Sequence, residues 1–412
     1  MTWPVLPLGD VAETALGKML DKGKPKGFTH VAYLRNVNVQ WGRIDTHDLL
    51  MMELADDQRE RFAVGEGDLL VCEGGEVGRC AIWHGRKEYL AYQKALHRIR
   101  PNDALDARYL RYLLEHHSLS GILAGLATGS TIAHLPQQQL RRVPVPMAPL
   151  DEQHRIVDLL DDHLSRLDAA TKGLHGAIAR CNALLTTGLW LATHGLEGAK
   201  AVELHSIADV RLGRQRSPKN HTGDRMRPYL RAANVDWDTL RLGDVKEMQF
   251  TEAEETSYRL DPGDILLTEA SGSPAEVGKS VIYAGEPANV CFQNTLLRVR
   301  CHSADPKFVQ RYLLAEARAG RFMPDARGVG INHLGRARLA GLPIELPDPD
   351  AQARAVAECR DLVDGVERLR SVVRCQLTRS GALRRALLAS AFAGRLTGAA
   401  PDLSAVGEMI GA

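Results

Sequence analysis

The sequence predicts an α+β fold written twice: two tandem-repeated α+β domains, each followed by a long α-helix, with the two helices pairing as an antiparallel coiled coil. Three observations predict it: an internal duplication, a mix of short β-type runs with one helical stretch in each copy, and a heptad seam after each copy. Repetition is sought first because it decides architecture. Tyr33-Leu-Arg-Asn-Val-Asn-Val-Gln-Trp41 returns as Tyr229-Leu-Arg-Ala-Ala-Asn-Val-Asp-Trp237, 196 positions later. The same offset sets Leu16-Gly17-Lys18 against Leu212-Gly213-Arg214 and Gly67-Asp68 against Gly263-Asp264. At an offset of 200, Glu76, Gly78, Gln93, Leu96, Arg98, Arg100 and Tyr112 meet Glu276, Gly278, Gln293, Leu296, Arg298, Arg300 and Tyr312. At 199, His134, Pro144, Asp151, Gln153 and Arg155 meet His333, Pro343, Asp350, Gln352 and Arg354. Matches in one order, with slips of a few residues, mean a tandem duplication.

The elements follow in order. Residues 1–150 and 196–349 are the two domains, with β-type runs at 68–72, 264–268 and 296–300 and helical stretches at 107–116 and 306–317. Proline-rich segments, 143–149 and 342–349, close each domain, block helix continuation and stiffen the exit. Residues 151–195 form the central helix. Its apolar residues Leu160, Leu164, Leu167, Leu174, Ile178, Cys181 and Leu185 alternate spacings of four and three, with Thr171 in the one open place. Residues 350–397 form the C-terminal helix, with a weaker seam at Leu362, Val366, Leu369, Val373, Leu383 and Leu387 that breaks at Gln376 and Ser380. Each seam needs a cover and each is the other's obvious partner. Thirty-five paired residues would give a rod on the order of 50 Å. Residues 398–412 are a tail.

A chain of 412 residues exceeds one compact core, and 44% apolar with 25% charged residues is ordinary globular composition. No apolar run reaches the roughly 18 residues a membrane helix needs, and no secretory signal opens the chain. The seven cysteines are scattered without a CxxC pair, which points to reduced thiols and a cytoplasmic protein rather than a disulfide frame or zinc site. A net charge of +1 argues against a chain that grips nucleic acid by bulk electrostatics alone. The basic residues are nevertheless clustered. Lys18, Lys22, Lys24 and Lys26 share one loop with the single acid Asp21, and Arg214, Arg216, Lys219, Arg225 and Arg227 share another with the single acid Asp224. Two basic loops suggest two anion-binding places.

The Tyr-Leu-Arg-(x)2-Asn-Val blocks, the Gly-Asp-(Leu/Ile)-Leu runs, the helix start Pro149-Leu-Asp-Glu-Gln and the closing stretch from Leu383 to Leu396 together resemble the specificity subunit of type I restriction–modification enzymes. The likeness covers residues 5–397 and rests on the duplicated order, since no single motif is specific. One departure is that the second helix start, Pro349-Asp-Ala-Gln, lacks the glutamate found at Glu152, which would weaken that start or mark asymmetry. The resemblance implies a non-catalytic reader of double-stranded DNA, each domain recognising one half of a bipartite target. The helices would set the spacing and dock two adenine methyltransferase subunits, and motor–nuclease subunits would join them. S-adenosylmethionine, ATP and magnesium would sit on those partners and not on this chain.

Other chemistry finds little support. Gly272-Ser-Pro-Ala-Glu-Val-Gly-Lys-Ser280 has five residues between its glycines where a phosphate loop has four. Asp151, His154, Asp158, Asp161 and Asp162 read as a solvated acidic face rather than a cation site, and His134, His333 and Glu115-His-His117 as structural groups. Two alternatives remain, a self-contained enzyme with disguised motifs and a coiled-coil scaffold that binds protein only. If the halves read different sequences, base-reading positions should differ between copies while scaffold and phosphate contacts agree. Divergence concentrates in residues 18–29 and 214–227, in 73–79 against 269–279, and in 128–131 against 327–330. The DNA-binding candidates are therefore the eight lysines and arginines of the basic loops just named other than Arg216, Arg216 itself, and Asn220, Arg79, Lys279, Ser130, Thr131 and Arg327. The matched Arg35 and Arg231 join them as scaffold or phosphate contacts.

Overall fold

A computed structural model describes residues 3–20, 27–85, 88–129, 133–271, 273, 276–323 and 332–397. The chain forms two compact units, one of residues up to Leu174 with those from Cys375 on, the other of His175–Arg374. Each unit thus holds one domain and about half of both long helices, so the helices are not separate bodies between domains.

The first unit carries an antiparallel four-stranded sheet in the order Ala12–Leu16, Leu96–Pro101, Leu69–Cys72, Cys80–Ile82. A second sheet sets Thr29–Leu34 between Leu50–Leu54, antiparallel, and Ala91–Tyr92, parallel. The helix Ala107–Leu119 starts at Asp106, whose carboxylate accepts the N–H groups of Arg108 and Tyr109. The second unit repeats this plan: Ala208–Leu212, Leu296–Cys301, Ile265–Thr268 and Ser280–Ile282 in one sheet, Lys246–Gln249, Met226–Leu230 and Cys291–Phe292 in the other, and the helix Pro306–Arg318. The predicted runs and helices all appear, within one to three residues at their ends. The proline segments do more than stop a helix: Pro144–Pro146 pairs as a strand with Val5–Pro7, and Pro343–Leu346 with Lys200–Glu203.

The repeated motifs have local causes. Asp68 and Asp264 are buried, and each grips an arginine of the neighbouring strand through both oxygens: Arg100 at 2.6 and 3.1 Å, Arg300 at 2.6 and 2.6 Å. Gln153 and Gln352 are buried at the helix starts and accept the N–H of Asp106 at 2.9 Å and of Asp305 at 3.0 Å. Each glutamine thereby ties a long helix to the N-terminus of its domain's helix. The glutamate missing from the second start does not weaken it, because Asp348 caps that helix through the N–H of Ala351 at 2.8 Å. Glu152 instead bonds Arg155 and Thr397.

The long helices run over Leu150–Thr193 and Pro349–Phe392, 44 residues each, or about 66 Å at 1.5 Å per residue. Within the first unit their pairing is antiparallel, Thr171 Oγ1 meeting Ser380 Oγ at 2.7 Å. Within the second, Asn182 meets Arg370. The first seam is as predicted, with Leu160, Leu164, Cys181 and Leu185 buried and Leu167, Leu174 and Ile178 half-buried. The second needs a correction. Leu369 is 52% exposed and Arg370 takes the inward place, so this line of the seam lies one residue later than predicted, through Val363, Arg370, Leu377, Arg384 and Ala391. Val366, Val373 and Leu387 keep their places, while Leu362 and Leu383 pack on the flank. Gly188 lets the helices approach closely there, since a Cβ on it would lie 2.4 Å from Leu362 Cδ2.

Candidate functional site

In each domain the described residues that flank the divergent loops come together along one rim. In the first unit, Gly17 lies so close to the Gln93 carbonyl that a Cβ would stand 2.2 Å from it, and Gly213 stands the same way to Gln293. This close approach explains the repeated Leu-Gly-(Lys/Arg). It lets the N–H of Lys94 donate to Lys18 O at 2.9 Å and that of Gln93 to Leu34 O at 3.0 Å, which brings the first basic loop beside the Arg35–Asn38 turn. Glu73 then binds the rim from the other side, its N–H donating to Ala95 O at 3.0 Å and its carbonyl accepting from Leu135 at 2.7 Å. Gly74 pairs with His134, and His134 with Thr128. The second unit repeats the circuit through Asn294 and Arg214 O, Glu269 and Thr295 O, and Leu334 and Glu269 O.

The turn in the Tyr-Leu-Arg-(x)2-Asn block is locked from within. Asn38 is buried, accepts the N–H of Arg35 at 2.8 Å and donates to the carbonyls of Asp45 and Asp48 at 3.0 and 3.2 Å. Asn234 does the same with Arg231, Arg241 and Asp244 at 3.1, 2.9 and 3.1 Å. Arg98 and Arg298 are buried too, Arg98 donating to Ala63 O at 2.6 Å and Arg298 to Asp209 at 3.1 Å. Two copies of one scaffold therefore present two rims whose loops differ in sequence. Among the described residues no group of three His, Cys, Asp or Glu could hold a metal ion.

Comparison with known proteins agrees with this reading. The model of the family described as type I restriction modification DNA specificity domain matches residues 1–179, the first copy and about two thirds of the central helix. The specificity subunit of the type I restriction enzyme StySPI of Salmonella potsdam is 23% identical, covering 96% of this chain and 89% of that protein. That of EcoKI from Escherichia coli strain K12 is also 23% identical with the same coverage. Residues 1–179 match a type I specificity domain, and over nearly its whole length the chain is similar to type I specificity subunits. A solved chain from work on complex assembly and conformational transition of the type I R-M system covers 96% of this chain and 98% of its own, at 18% identity and a TM-score of 0.75. The HsdS subunit of Thermoanaerobacter tengcongensis covers 96% and 97%, at 18% identity and a TM-score of 0.53. These two share the fold.

The predicted contact residues sort by their partners. Lys18 donates to Gln58 at 2.7 Å. Arg35 pairs with Asp48 at 2.7 Å, and Arg231 with Asp244 at 2.5 Å. Arg79 pairs with Glu76 at 3.4 Å, and Lys279 with Glu276 at 2.8 Å and Asp236 at 3.2 Å, so the loop that imitated a phosphate-binding motif turns its lysine onto carboxylates. The second basic loop meets the acidic helix Glu252–Tyr258: Arg214 pairs with Glu254 at 2.8 Å, Arg225 and Arg227 with Glu255 at 3.0 and 2.9 Å. Hydrogen bonds from Arg227 and Arg225 hold the Glu255 carboxyl below the usual glutamate range. Asn220 lies against the Arg214 guanidinium. Arg216 and Lys219 are exposed and make no ion pair among the described residues. Lys22, Lys24, Lys26, Ser130, Thr131 and Arg327 lie outside the described residues.

The other sequence features also acquire roles. The acidic face of the central helix is not simply solvated: Asp161 accepts from Tyr112 and pairs with Arg108 at 3.5 Å, and His154 faces Asp106 at 3.5 Å. His333 bonds Glu269 at 2.9 Å. His117 bonds Pro144 O at 2.8 Å, and burial, then the charge of His117, pushes His116 down to about 4. His116 and His117 belong to packing, whereas His154, Asp161 and His333 make half-exposed polar contacts.

Proposed function

We propose that this chain is the non-catalytic DNA-reading subunit of a type I restriction–modification complex, each recognition domain reading one half of a bipartite target. The observation that supports it is the repeated rim: a turn locked by the same asparagine bonds in each unit beside loops of different sequence, which is what two independent readers of different half-sites require. On this reading the two 44-residue helices set the spacing of the half-sites and dock two adenine methyltransferase subunits. Motor–nuclease subunits complete the restriction form. S-adenosylmethionine, ATP and magnesium serve the partners, and the complex works in the cytoplasm. No helix among the described residues is long and apolar enough to cross a membrane.

The test is base-resolution methylation mapping with the chain supplied alongside its methyltransferase subunits. Replacing residues 1–145 by the corresponding domain of a relative is expected to change one half of the methylated sequence. Simultaneous change of both halves, or specific methylation by the chain alone, would refute the reading. A seven-residue duplication in both helices adds roughly 10 Å and is expected to lengthen the gap between unchanged half-sites.

A further inference from the structure

Each rim contains two short turns in which matched residues flank an unmatched pair. In the first domain these are Arg35-[Asn36-Val37]-Asn38 and Gln93-[Lys94-Ala95]-Leu96, and in the second Arg231-[Ala232-Ala233]-Asn234 and Gln293-[Asn294-Thr295]-Leu296. The flanking residues are committed inward. Asn38, Asn234, Leu96 and Leu296 are buried, and the backbones of Gln93 and Gln293 bond Leu34 and Leu230.

The unmatched pairs lie together and vary together. In the first domain Asn36 Nδ2 donates to Gly74 O at 3.0 Å, and Glu73, the residue before Gly74, donates to Ala95 O. The second domain has alanine at the place of Asn36, and there Thr295 Oγ1 accepts the N–H of Ala232 at 3.0 Å. A cavity of about 300 Å3 opens beside it, lined by Ala232, Ala233, Thr268, Ala270, Glu276 and Lys279 among others. The two copies therefore hold these turns with different side-chain bonds. Val37 is 57% exposed, a large apolar side chain held on a locked turn with no core to join.

We infer that positions 36, 37, 94 and 95, with 232, 233, 294 and 295 in the second copy, form a specificity cassette in each recognition domain: positions 37 and 94, with 233 and 294, meet the bases, and the other four set the turns that present them. This rests on the proposed role as a DNA reader. The chemistry fits base edges: lysine bonds guanine O6 and N7, asparagine bonds adenine N6 and N7, and an exposed apolar group meets the thymine methyl. Lys94 in the first domain and Asn294 in the second therefore face different bases from equivalent places. The locked turns fix where these side chains point, so discrimination needs no reordering of the backbone.

The experiment uses the full chain assembled with its methyltransferase subunits and reads methylation at base resolution. The wild-type complex is mapped first, and a wild-type map without a bipartite target would refute the reader role itself. Given such a target, three variants follow: Val37→Ala, Lys94→Asn, and the four-residue exchange Asn36→Ala, Val37→Ala, Lys94→Asn, Ala95→Thr. Expected is a change confined to the first half-site, with discrimination at one position falling about tenfold or more for Lys94→Asn, and the second half-site and the gap unchanged. The exposed Val37→Ala and half-exposed Lys94→Asn leave the buried anchors intact. Maps for both that match wild type, whatever the four-residue exchange does, would overturn the cassette.

Discussion

The two units share their two main sheets strand for strand, yet they join domain to helices differently. In the first, Tyr109, Leu113, Leu160, Leu164, Leu387 and Phe392 belong to one core that runs from the sheet into the helix pair. Arg384 crosses the seam to Glu115 at 2.6 Å and to Asp168 at 2.5 Å. In the second, Leu185 stands in the place of Arg384 and Ala315 in that of Glu115. There Cys181, Leu189, Cys359 and Val366 of the helix pair cluster with Leu314 and Ala315 of the domain's helix, apart from the core that holds the sheet. Beside it lies a cavity of about 890 Å3 lined by Trp237, Arg318 and Arg370 among others. Arg318 rests 4.4 Å over the Trp237 ring, and burial, then the charge of Arg370, pushes its pKa down to about 10. The difference teaches that a buried charge pair changes as a pair. Arginine without Glu115, or glutamate without Arg384, would leave an uncompensated ion, whereas leucine with alanine leaves none.

The largest expected effect breaks that contrast. Arg384→Ala strands Glu115, whose remaining cation is Arg111 at 3.3 Å, and is expected to destabilise the first unit by about 3 kcal/mol. Adding Glu115→Ala should restore much of the loss, because the second unit already shows the neutral solution. Denaturant unfolding of the single and double variants measures both, and a double variant no better than Arg384→Ala would mean that packing rather than charge holds this junction.

A smaller effect sharpens what the units share. Asn38→Ala and Asn234→Ala each remove a buried amide that organises three backbone groups, at a cost of about 2 kcal/mol. The two costs should agree, since the bonds correspond one for one. Unequal losses in the same unfolding measurement would show that only one turn depends on its asparagine.

The smallest effect concerns charge on the second rim. Glu255→Gln releases Arg225 and Arg227 toward DNA, so binding by the assembled complex should tighten and the slope of log affinity on log salt steepen by about one to two units. Acidification should act in the same direction. The folded carboxyl is held below its ordinary value of 4.5 by Arg227 and Arg225, so the pairing is complete at neutral pH and is lost as pH falls through the lowered folded value. An unchanged salt slope at pH 7 would mean that these arginines stay out of reach of DNA in either state.

The sequence by itself determined the duplication, the strand and helix positions, the stopping points and the seam of the central helix. All of these are written in local order: repeats, a period of two or of three and a half, and residues that cap or break. It also located the divergent loops, whose flanking residues come together along each rim. Tertiary structure alone decided which charges are available there. Arg227 meets an acid 28 residues away and Lys18 a glutamine 40 residues away, separations that no local pattern encodes. The C-terminal seam failed at Leu369 for the same reason. An apolar periodicity prefers leucine to arginine, but Arg370 is admitted to the interface by Asn182 on the other helix and by Glu367 on its own. Burial of a charged side chain is settled by the partner it meets across the fold, and that partner is known only once the chain has closed on itself.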